Sequence, residues 1–262
     1  MTIDRSRRII FDQIADLYDQ VRPRYPEQVI EDVIALSGIA PGGRMLEVGC
    51  GPGIATVAFA QRGYAMVAVE LGEQLATLAK KNCARYPQVQ ILNISFEEWE
   101  LQPQAFDLVL SAEAFHWIRP EIGYPKMGRA LNDSGSAALI WNIYQEAGGE
   151  LFTALDAVYQ KQDPPVENPN RAVTTDWLID RITQNFAASE CFGAVTVRQY
   201  PWSKMYTGED YIKLLSTMSG FRAMQQTKRT RLFDEILTVI QHFDGWIEQR
   251  LNTVLFRAPV KR

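Results

Sequence analysis

Cysteine is scarce in this sequence, and an excess of positive charge is missing. The three cysteines, Cys50, Cys83 and Cys191, are far apart and form no C-x-x-C pair. A disulfide framework or a structural zinc site is therefore not expected, and we predict no bound metal. The chain has a formal net charge of −4 and no long basic run, so we predict no nucleic-acid partner.

Long apolar runs are missing as well. No run approaches the length that crosses a membrane, and the first residues, MTIDRSRRIIFDQIADLYDQ, lack the uninterrupted apolar core of a signal peptide. From these features we expect a cytoplasmic protein that binds a small molecule and does not bind a membrane. The sequence gives no indication of an oligomeric state.

Short apolar runs alternate with segments of helical periodicity between Met45 and Asn142. This alternation predicts an α/β fold in which a parallel sheet carries helices on both faces. Two later strand-like segments, AVTVRQYPW and NTVLFRAPV, bring the predicted sheet to seven mostly parallel strands. Sheets of this kind bind ligands beyond the carboxyl ends of their strands.

The pattern changes after Asn142. Residues 143–190 and 203–245 are mainly helical in periodicity, and the first of these segments contains the polar, proline-bearing sequence QDPPVENPN. We predict one domain over residues 1–262, in which the two helical insertions form a substrate lid over the strand ends.

Three glycines, Gly49, Gly51 and Gly53, follow the first strand of this region in the sequence EVGCGPG. Glycine permits a positive φ and lets a ligand approach the backbone without meeting a Cβ atom. Because these glycines lie between a strand and a helix, we predict a ligand against the main chain there. A tight turn without a ligand is the alternative. The spacing G-x-G-x-G also differs from the G-x-G-x-x-G of dinucleotide-binding proteins.

Two carboxylates narrow the choice of ligand. Glu47 lies two residues before Gly49, and Glu70 ends the next predicted strand, where an acidic residue accepts hydrogen bonds from ribose hydroxyls. These two acids together favour an adenosine-containing cofactor with a positive charge. The alternatives are a solvated strand end at Glu70 and a structural acid at Glu47.

The sequence EVGCGPG followed by VAVE resembles the motif of the class I S-adenosylmethionine-dependent methyltransferases, E/D-x-G-x-G-x-G with an acidic residue ending the second strand. Three further segments, FDQIADLYDQVRPRYP, FDLVLSAEAFHWI and PKMGRALNDSGSAALIWN, are similar to the small-molecule, type 11 subgroup that includes trans-aconitate methyltransferase-like proteins. The resemblance covers most of the chain. It implies a Rossmann-like class I methyltransferase fold with a helical lid, and S-adenosyl-L-methionine as the cofactor.

The resemblance also implies a set of cofactor-binding residues. The loop from Glu47 to Gly53 would hold the methionine end of the cofactor, Glu70 would hold the ribose, and Leu71 would pack on the adenine. The full predicted set is Tyr18, Arg22, Glu47, Gly49, Cys50, Gly51, Gly53, Glu70, Leu71, Ser95, Phe96 and Ala112.

Several members of this set have a second interpretation. Ser95 and Phe96 would border the adenine, and because Ser95 stands where an aspartate is common, the backbone or Asn93 would bind the adenine amino group. Phe96 is equally a candidate core aromatic. Tyr18 and Arg22 would close over the cofactor, with Arg22 paired to its carboxylate, or would be a packing tyrosine and a surface arginine.

Methyl transfer from a sulfonium requires mainly that a nucleophile is aligned and that water is excluded. His116 follows the predicted fourth strand and is the candidate catalytic residue, with a packed loop histidine as the alternative. We expect a small-molecule acceptor, and a carboxylate-bearing metabolite is one candidate. The competing functions are a nucleotide-binding regulatory protein without turnover, a nicotinamide-dependent oxidoreductase, and cyclopropane formation on lipids.

Overall fold

A seven-stranded sheet forms the centre of the computed structural model, which describes residues 8, 10–164, 166 and 168–261. The order across the sheet is β3-β2-β1-β4-β5-β7-β6. The strands are β1 (Arg44–Val48), β2 (Ala65–Glu70), β3 (Val89–Asn93), β4 (Phe106–Ala112), β5 (Leu131–Gln145), β6 (Thr196–Thr207) and β7 (Trp246–Pro259).

The first five strands pair in parallel, and β7 lies antiparallel between β5 and β6. The predicted seven-stranded, mostly parallel sheet is confirmed. Chain order reverses direction between β1 and β4, because β2 and β3 lie on one side of β1 and β5 lies beyond β4. Such a reversal opens a crevice at the carboxyl ends of the two strands.

Ten α-helices lie within the described residues, and two of them, α2 and α9, were not predicted from the sequence. The helices are α1 (Ala15–Val21), α2 (Glu27–Ser37), α3 (Ile54–Ala60), α4 (Glu73–Asn82), α5 (Pro120–Ala130), α6 (Gly149–Gln160), α7 (Thr175–Ala188), α8 (Gly208–Ser216), α9 (Ser219–Arg222) and α10 (Gln226–His242). In the described ranges, no helix has both the length and the apolar character needed to cross a membrane.

Alternating side chains along the strands supply two separate cores. In β4, Leu108 packs with α2 and α3 on one face of the sheet, and the neighbouring Val109 packs with α5 and α7 on the other. This is the period of two that places successive strand residues on opposite faces. Helices therefore cover both faces, as the sequence predicted.

A third apolar cluster joins α6, α8 and α10 to the end of α1. It includes Leu155, Tyr211, Leu214 and Ile236, all of which are buried, together with Val21 of α1. These helices bury their apolar stripes mainly against one another, so they form a separate helical layer.

Helix α7 differs from the predicted lid position. Its buried residues Leu178, Ile182 and Phe186 belong to the core on the sheet face, because Phe186 packs edge-on against Tyr124 of α5, with ring centroids 4.9 Å apart. The predicted boundaries at 143 and 203 also fall inside β5 and β6, which extend to Gln145 and Thr207. Of the first predicted insertion, therefore, only α6 joins the helical layer.

Candidate functional site

A cavity of about 290 Å³ lies at the carboxyl ends of β1, β2 and β4. Val48 and Val69 line it from the sheet, and Met218 and Ser219 line it from the junction of α8 and α9. The predicted site residues that line this cavity are Tyr18, Arg22, Glu47, Gly49, Cys50, Gly51, Glu70, Leu71, Ser95, Phe96, Ala112 and His116.

The three glycines of the loop have different surroundings, although all have positive φ values of 70°, 55° and 89°. A Cβ atom on Gly49 would lie 2.5 Å from the Cβ atom of Ala114, so this glycine permits close packing. A Cβ atom on Gly51 would meet no protein atom within 4 Å. Gly51 is therefore the position at which bare backbone faces open space beside the cavity.

Gly53 was also predicted to bind the cofactor, but its surroundings differ from those of Gly51. It does not line the cavity, and a Cβ atom there would lie 3.5 Å from Cys83 Sγ and 3.6 Å from Ala79. Gly53 is the residue that precedes α3, with a φ of 89°, and its backbone lies in close contact with α4. The third glycine thus serves the packing of two helices.

Glu70 fixes the glycine loop through both carboxylate oxygens. Oε2 accepts a hydrogen bond from the backbone N–H of Gly51 at 2.9 Å, and Oε1 accepts one from Gly72 at 2.8 Å. Burial raises the pKa of Glu70, while the backbone hydrogen bonds oppose that shift. Since each carboxylate oxygen has a second lone pair, the side chain retains the capacity to accept further hydrogen bonds.

Glu47 is buried at the end of β1, and the hydroxyl of Thr56 donates a hydrogen bond to its Oε2 at 2.6 Å. Burial raises the pKa of Glu47 to about 8, and the hydrogen bond from Thr56 opposes the rise. The acid is therefore mostly neutral at pH 7. A cation bound beside it would favour the ionised form.

Arg22 connects the entry segment to the helical layer. Its Nε donates to Thr217 Oγ1 at 2.9 Å, and Nη2 donates to the Thr217 carbonyl at 2.8 Å. The guanidinium carbon also lies 4.8 Å from the ring centroid of Tyr18, a cation–π contact. Both side chains are half-buried in the cavity wall, so Arg22 is not a free surface arginine.

Ser95 and Phe96 are largely committed to contacts within the protein. Ser95 Oγ donates to Glu98 Oε2 at 2.7 Å and accepts from the Glu98 backbone N–H at 3.2 Å. Phe96 is 3% exposed and stacks on Trp99 with ring centroids 6.1 Å apart. Ser95 and Phe96 therefore form an edge of the cavity, and their contacts with Glu98 and Trp99 fix the shape of that edge.

Asn93 is not placed to bind adenine from inside the cavity. Its Nδ2 donates to the backbone carbonyls of Glu70 and Leu71, each at 3.0 Å, and the residue does not line the cavity. Asn93 instead holds the chain where it leaves β2.

His116 lies in a short 3-10 turn, Phe115–Trp117, after β4. Its Nδ1 accepts a hydrogen bond from the indole N–H of Trp141 at 3.1 Å. The proton of the neutral imidazole is therefore on Nε2, which makes that nitrogen a donor. If Nδ1 were protonated, its N–H group would face the indole N–H of Trp141, and neither group could accept a hydrogen bond.

Glu113 and Tyr25 also line the cavity, and the sequence reasoning missed both. Glu113 directly follows β4 and has a φ of 60°; its Oε1 accepts from the backbone N–H of Asn142. Burial raises the pKa of Glu113 to about 7, with the Asn142 hydrogen bond and Arg22 opposing the rise. The available signal was a carboxylate at the carboxyl end of a buried strand, within the segment FDLVLSAEAFHWI.

Comparison with known proteins points to one enzyme class. Residues 45–135 match the family model for a methyltransferase domain. An uncharacterized methyltransferase of Mycobacterium tuberculosis is 28% identical over 233 residues, which are 88% of this chain and 86% of that protein. The magnesium-protoporphyrin O-methyltransferase of Rhodobacter capsulatus is 28% identical over 165 residues, which are 57% of this chain and 70% of that protein.

A solved structure shares the fold. A provisionally assigned type II methyltransferase from Anaeromyxobacter dehalogenans superposes with a TM-score of 0.63 at 19% identity, covering 91% of this chain and 97% of that one. This superposition and the sheet order show a methyltransferase-like fold. The methyltransferase domain matched over residues 45–135 and the methyltransferase relatives, which align over most of the chain, indicate a methyltransferase with S-adenosylmethionine as its cofactor.

Proposed function

We propose that the enzyme transfers a methyl group from S-adenosylmethionine to a small molecule bound in the cavity beside His116. The observation that carries the proposal is the bare backbone at Gly51, which lies in one cavity with the buried carboxylates Glu47 and Glu70. When bound, the cofactor supplies an activated methyl group on a positively charged sulfur.

The charges around the cavity support this cofactor. Of the acidic side chains among the described lining residues, Glu97 is paired with Arg8, whose Nη1 lies 2.6 Å from Glu97 Oε1. Glu47, Glu70 and Glu113 remain beside a single other arginine, Arg22. A ligand with a sulfonium and an ammonium would compensate Glu47 and Glu70, and its carboxylate would pair with the guanidinium of Arg22.

Each part of the cavity then has a role in binding. Glu47 and the loop through Gly51 would hold the amino-acid end, and Glu70 would accept hydrogen bonds from the ribose. Leu71 and the edge formed by Ser95 and Phe96 would border the base. We propose that α6 and α8–α10, with Met218 and Ser219 at the cavity, serve as a lid that excludes water.

The same charge balance bears on the acceptor. A carboxylate-bearing acceptor would bring a further acidic group into a cavity lined by Glu47, Glu70 and Glu113, and burial already raises the pKa of each of these side chains. A neutral or positively charged acceptor is therefore favoured over an acidic one. The relative from Rhodobacter capsulatus, named as a magnesium-protoporphyrin O-methyltransferase, adds support for a small-molecule acceptor.

Binding and turnover should be measured separately. Calorimetry with S-adenosylmethionine, S-adenosylhomocysteine and NADH should show binding of the first two only; binding of NADH alone would favour the oxidoreductase alternative. Radiolabelled methyl transfer to a panel of hydroxyl, amine, thiol and carboxylic-acid compounds should then yield a methylated product. Tight cofactor binding without any product would favour the regulatory protein. Mass spectrometry of the protein as isolated would identify a retained cofactor or acceptor.

A further inference from the structure

Glu113 has a backbone conformation that its side chain does not favour. Its φ of 60° lies in the left-handed region, which glycine adopts without strain and glutamate rarely adopts. The residue directly follows β4, at the strand ends where the crevice opens. Strained non-glycine residues of this kind concentrate at functional sites. The strained backbone therefore makes Glu113 a candidate for a functional role.

The two oxygens of the Glu113 carboxylate have different surroundings. Oε1 accepts a hydrogen bond from the backbone N–H of Asn142 on β5, which fixes the orientation of the carboxylate. No donor to Oε2 is found among the described residues, and the side chain lines the cavity. Glu70 differs, because its two oxygens both accept hydrogen bonds from the loop backbone.

We propose that Glu113 is the general base of the reaction and that the acceptor is a neutral or cationic molecule whose nucleophilic oxygen, nitrogen or sulfur carries a proton. This inference rests on the proposed methyltransferase function. It deepens that function by naming a catalytic residue and an acceptor class. His116 is less suited to be the base, because its Nδ1 is occupied by Trp141 and its Nε2 carries a proton in the neutral ring.

In the proposed step, every bond that forms is matched by one that breaks. The acceptor X–H gives its proton to Oε2 of Glu113, and a lone pair on X forms the bond to the methyl carbon. The carbon–sulfur bond breaks, and its electron pair goes to sulfur, leaving a neutral thioether. Glu113 ends the step as a neutral carboxylic acid and releases its proton to solvent when the product leaves.

The electrostatic surroundings suit a base that operates near neutral pH. Burial raises the pKa of Glu113 to about 7, and a base is most effective when its pKa is close to the working pH. Arg22 favours the ionised form of Glu113, and Glu47 and Glu70 line the same cavity. The titratable groups that face Glu113 from the packed elements are Tyr18, Arg22, Tyr25 and Tyr144, and His116 lines the same cavity.

The test compares Glu113→Gln with a matched control, Glu190→Gln. Glu190 is also a glutamate with a left-handed backbone, at φ 56°, but it is exposed and lies outside the cavity. Calorimetry with S-adenosylmethionine and methyl transfer to catechols, primary amines, thiols and dicarboxylates are measured for the wild type and both variants. A carbon-13 NMR titration of labelled glutamate, with S-adenosylhomocysteine bound, follows the Glu113 carboxyl directly.

We expect Glu113→Gln to bind the cofactor as the wild type does and to transfer methyl at least about 100-fold more slowly, within the usual range for general-base catalysis. The wild-type rate should fall as pH drops below about 7, since only the ionised carboxylate accepts a proton. Glu190→Gln should match the wild type in every measurement. In the NMR titration, the Glu113 signal should change near pH 7.

Four results would overturn the assignment. These are a wild-type rate in Glu113→Gln, weakened cofactor binding in that variant, a Glu113 signal that titrates below pH 5, and transfer to dicarboxylates alone. A wild type that binds the cofactor and methylates nothing in the panel would contradict the proposed function itself, and the inference would fall with it. That outcome can be told apart from a wrong assignment of Glu113, because the wild-type protein itself would then show no methyl transfer.

Discussion

Arg22 and Thr217 are 195 positions apart in the sequence, yet the guanidinium donates to both the hydroxyl and the carbonyl oxygen of the threonine, at 2.9 and 2.8 Å. Arg22 follows α1, and Thr217 follows α8, so the pair joins the entry segment to the helical layer. Met218 and Ser219, the next two residues, line the cavity. The proposed cofactor contact at Arg22 and the position of the helical layer are therefore coupled through one side chain.

Replacing Thr217 by valine tests this connection. Thr217 is buried, and valine in its place would lack the hydroxyl that accepts a hydrogen bond from the Arg22 guanidinium. We therefore expect the free energy of unfolding to fall by about 1–3 kcal/mol. Amide exchange in α8 and α9 should also become faster. Thr238→Val is the matched control, because the Thr238 hydroxyl donates to the Asp234 carbonyl at 2.8 Å on an exposed face of α10. Equal effects of the two substitutions would contradict the proposed coupling.

Gly51→Ala should weaken cofactor binding more than it weakens the fold. Alanine at a φ of 55° costs roughly 1–2 kcal/mol, and its methyl group would project into the open space beside the loop. Gly63→Ala carries a comparable backbone cost at φ 85°, also with no atom within 4 Å, but lies outside the cavity. Thermal unfolding and calorimetry would separate the two effects. Similar cofactor affinities in both variants would remove Gly51 from the binding site.

Glu70→Ala should reduce the binding free energy for S-adenosylmethionine by roughly 1.5–3 kcal/mol, the range for hydrogen bonds to a charged group. The variant loses the proposed ribose acceptor and also the two contacts to the backbone of Gly51 and Gly72. A 2′-deoxy analogue should lose much less affinity in the variant than in the wild type. Glu73→Ala, an exposed acid in the first turn of α4, is the control. If the 2′-hydroxyl contributes equally in both proteins, Glu70 does not hold the ribose.

Cofactor affinity should rise with pH because of Glu47. Its folded-state pKa of about 8 leaves the carboxyl mostly neutral at pH 7, and a bound cation favours the ionised form. Binding must therefore release a proton, so affinity increases from pH 6 toward about 8 and changes less above it. Calorimetry in buffers of different ionisation enthalpy measures the proton release. 5′-Methylthioadenosine, which lacks the amino-acid group, should show no such release, and Glu47→Gln should abolish it.

His116→Ala should slow methyl transfer with little change in cofactor affinity, whereas His116→Gln should retain more activity because its amide can donate in place of Nε2. The reason is the hydrogen bond from Trp141 to Nδ1, which places the imidazole proton on Nε2. Nitrogen-15 NMR at neutral pH should show that tautomer, and Trp141→Phe should weaken the preference for it. An alanine variant with the wild-type rate would make His116 a structural residue.

Much of the fold follows from local pattern. The alternation of apolar strands with helices between Met45 and Asn142 is directly visible in the sequence, and the parallel order that it predicts is present. The position of α7 was not visible, because its apolar stripe fits a lid helix as well as a sheet-covering helix. Only the packing of Phe186 on Tyr124 decides between them.

The site was predictable where a backbone requirement dictates the residue type. Gly51 follows from the need for bare main chain, but Gly53 has the same sequence signal with a different cause, the contact with Cys83. Glu113 was hidden for another reason. Its importance depends on a left-handed φ and on the N–H of Asn142, which lies 29 positions away in the sequence.

The position of β7 between β5 and β6 has a consequence for the order of events during synthesis. The edge strand β6 meets the rest of the sheet through β7, and α8 follows directly from β6. As the chain emerges from the ribosome, β6 and the helices after it have no sheet to join until β7 has been made. Met218 and Ser219 can therefore complete the cavity wall only late in translation, so a nascent chain is not expected to retain the methyl donor.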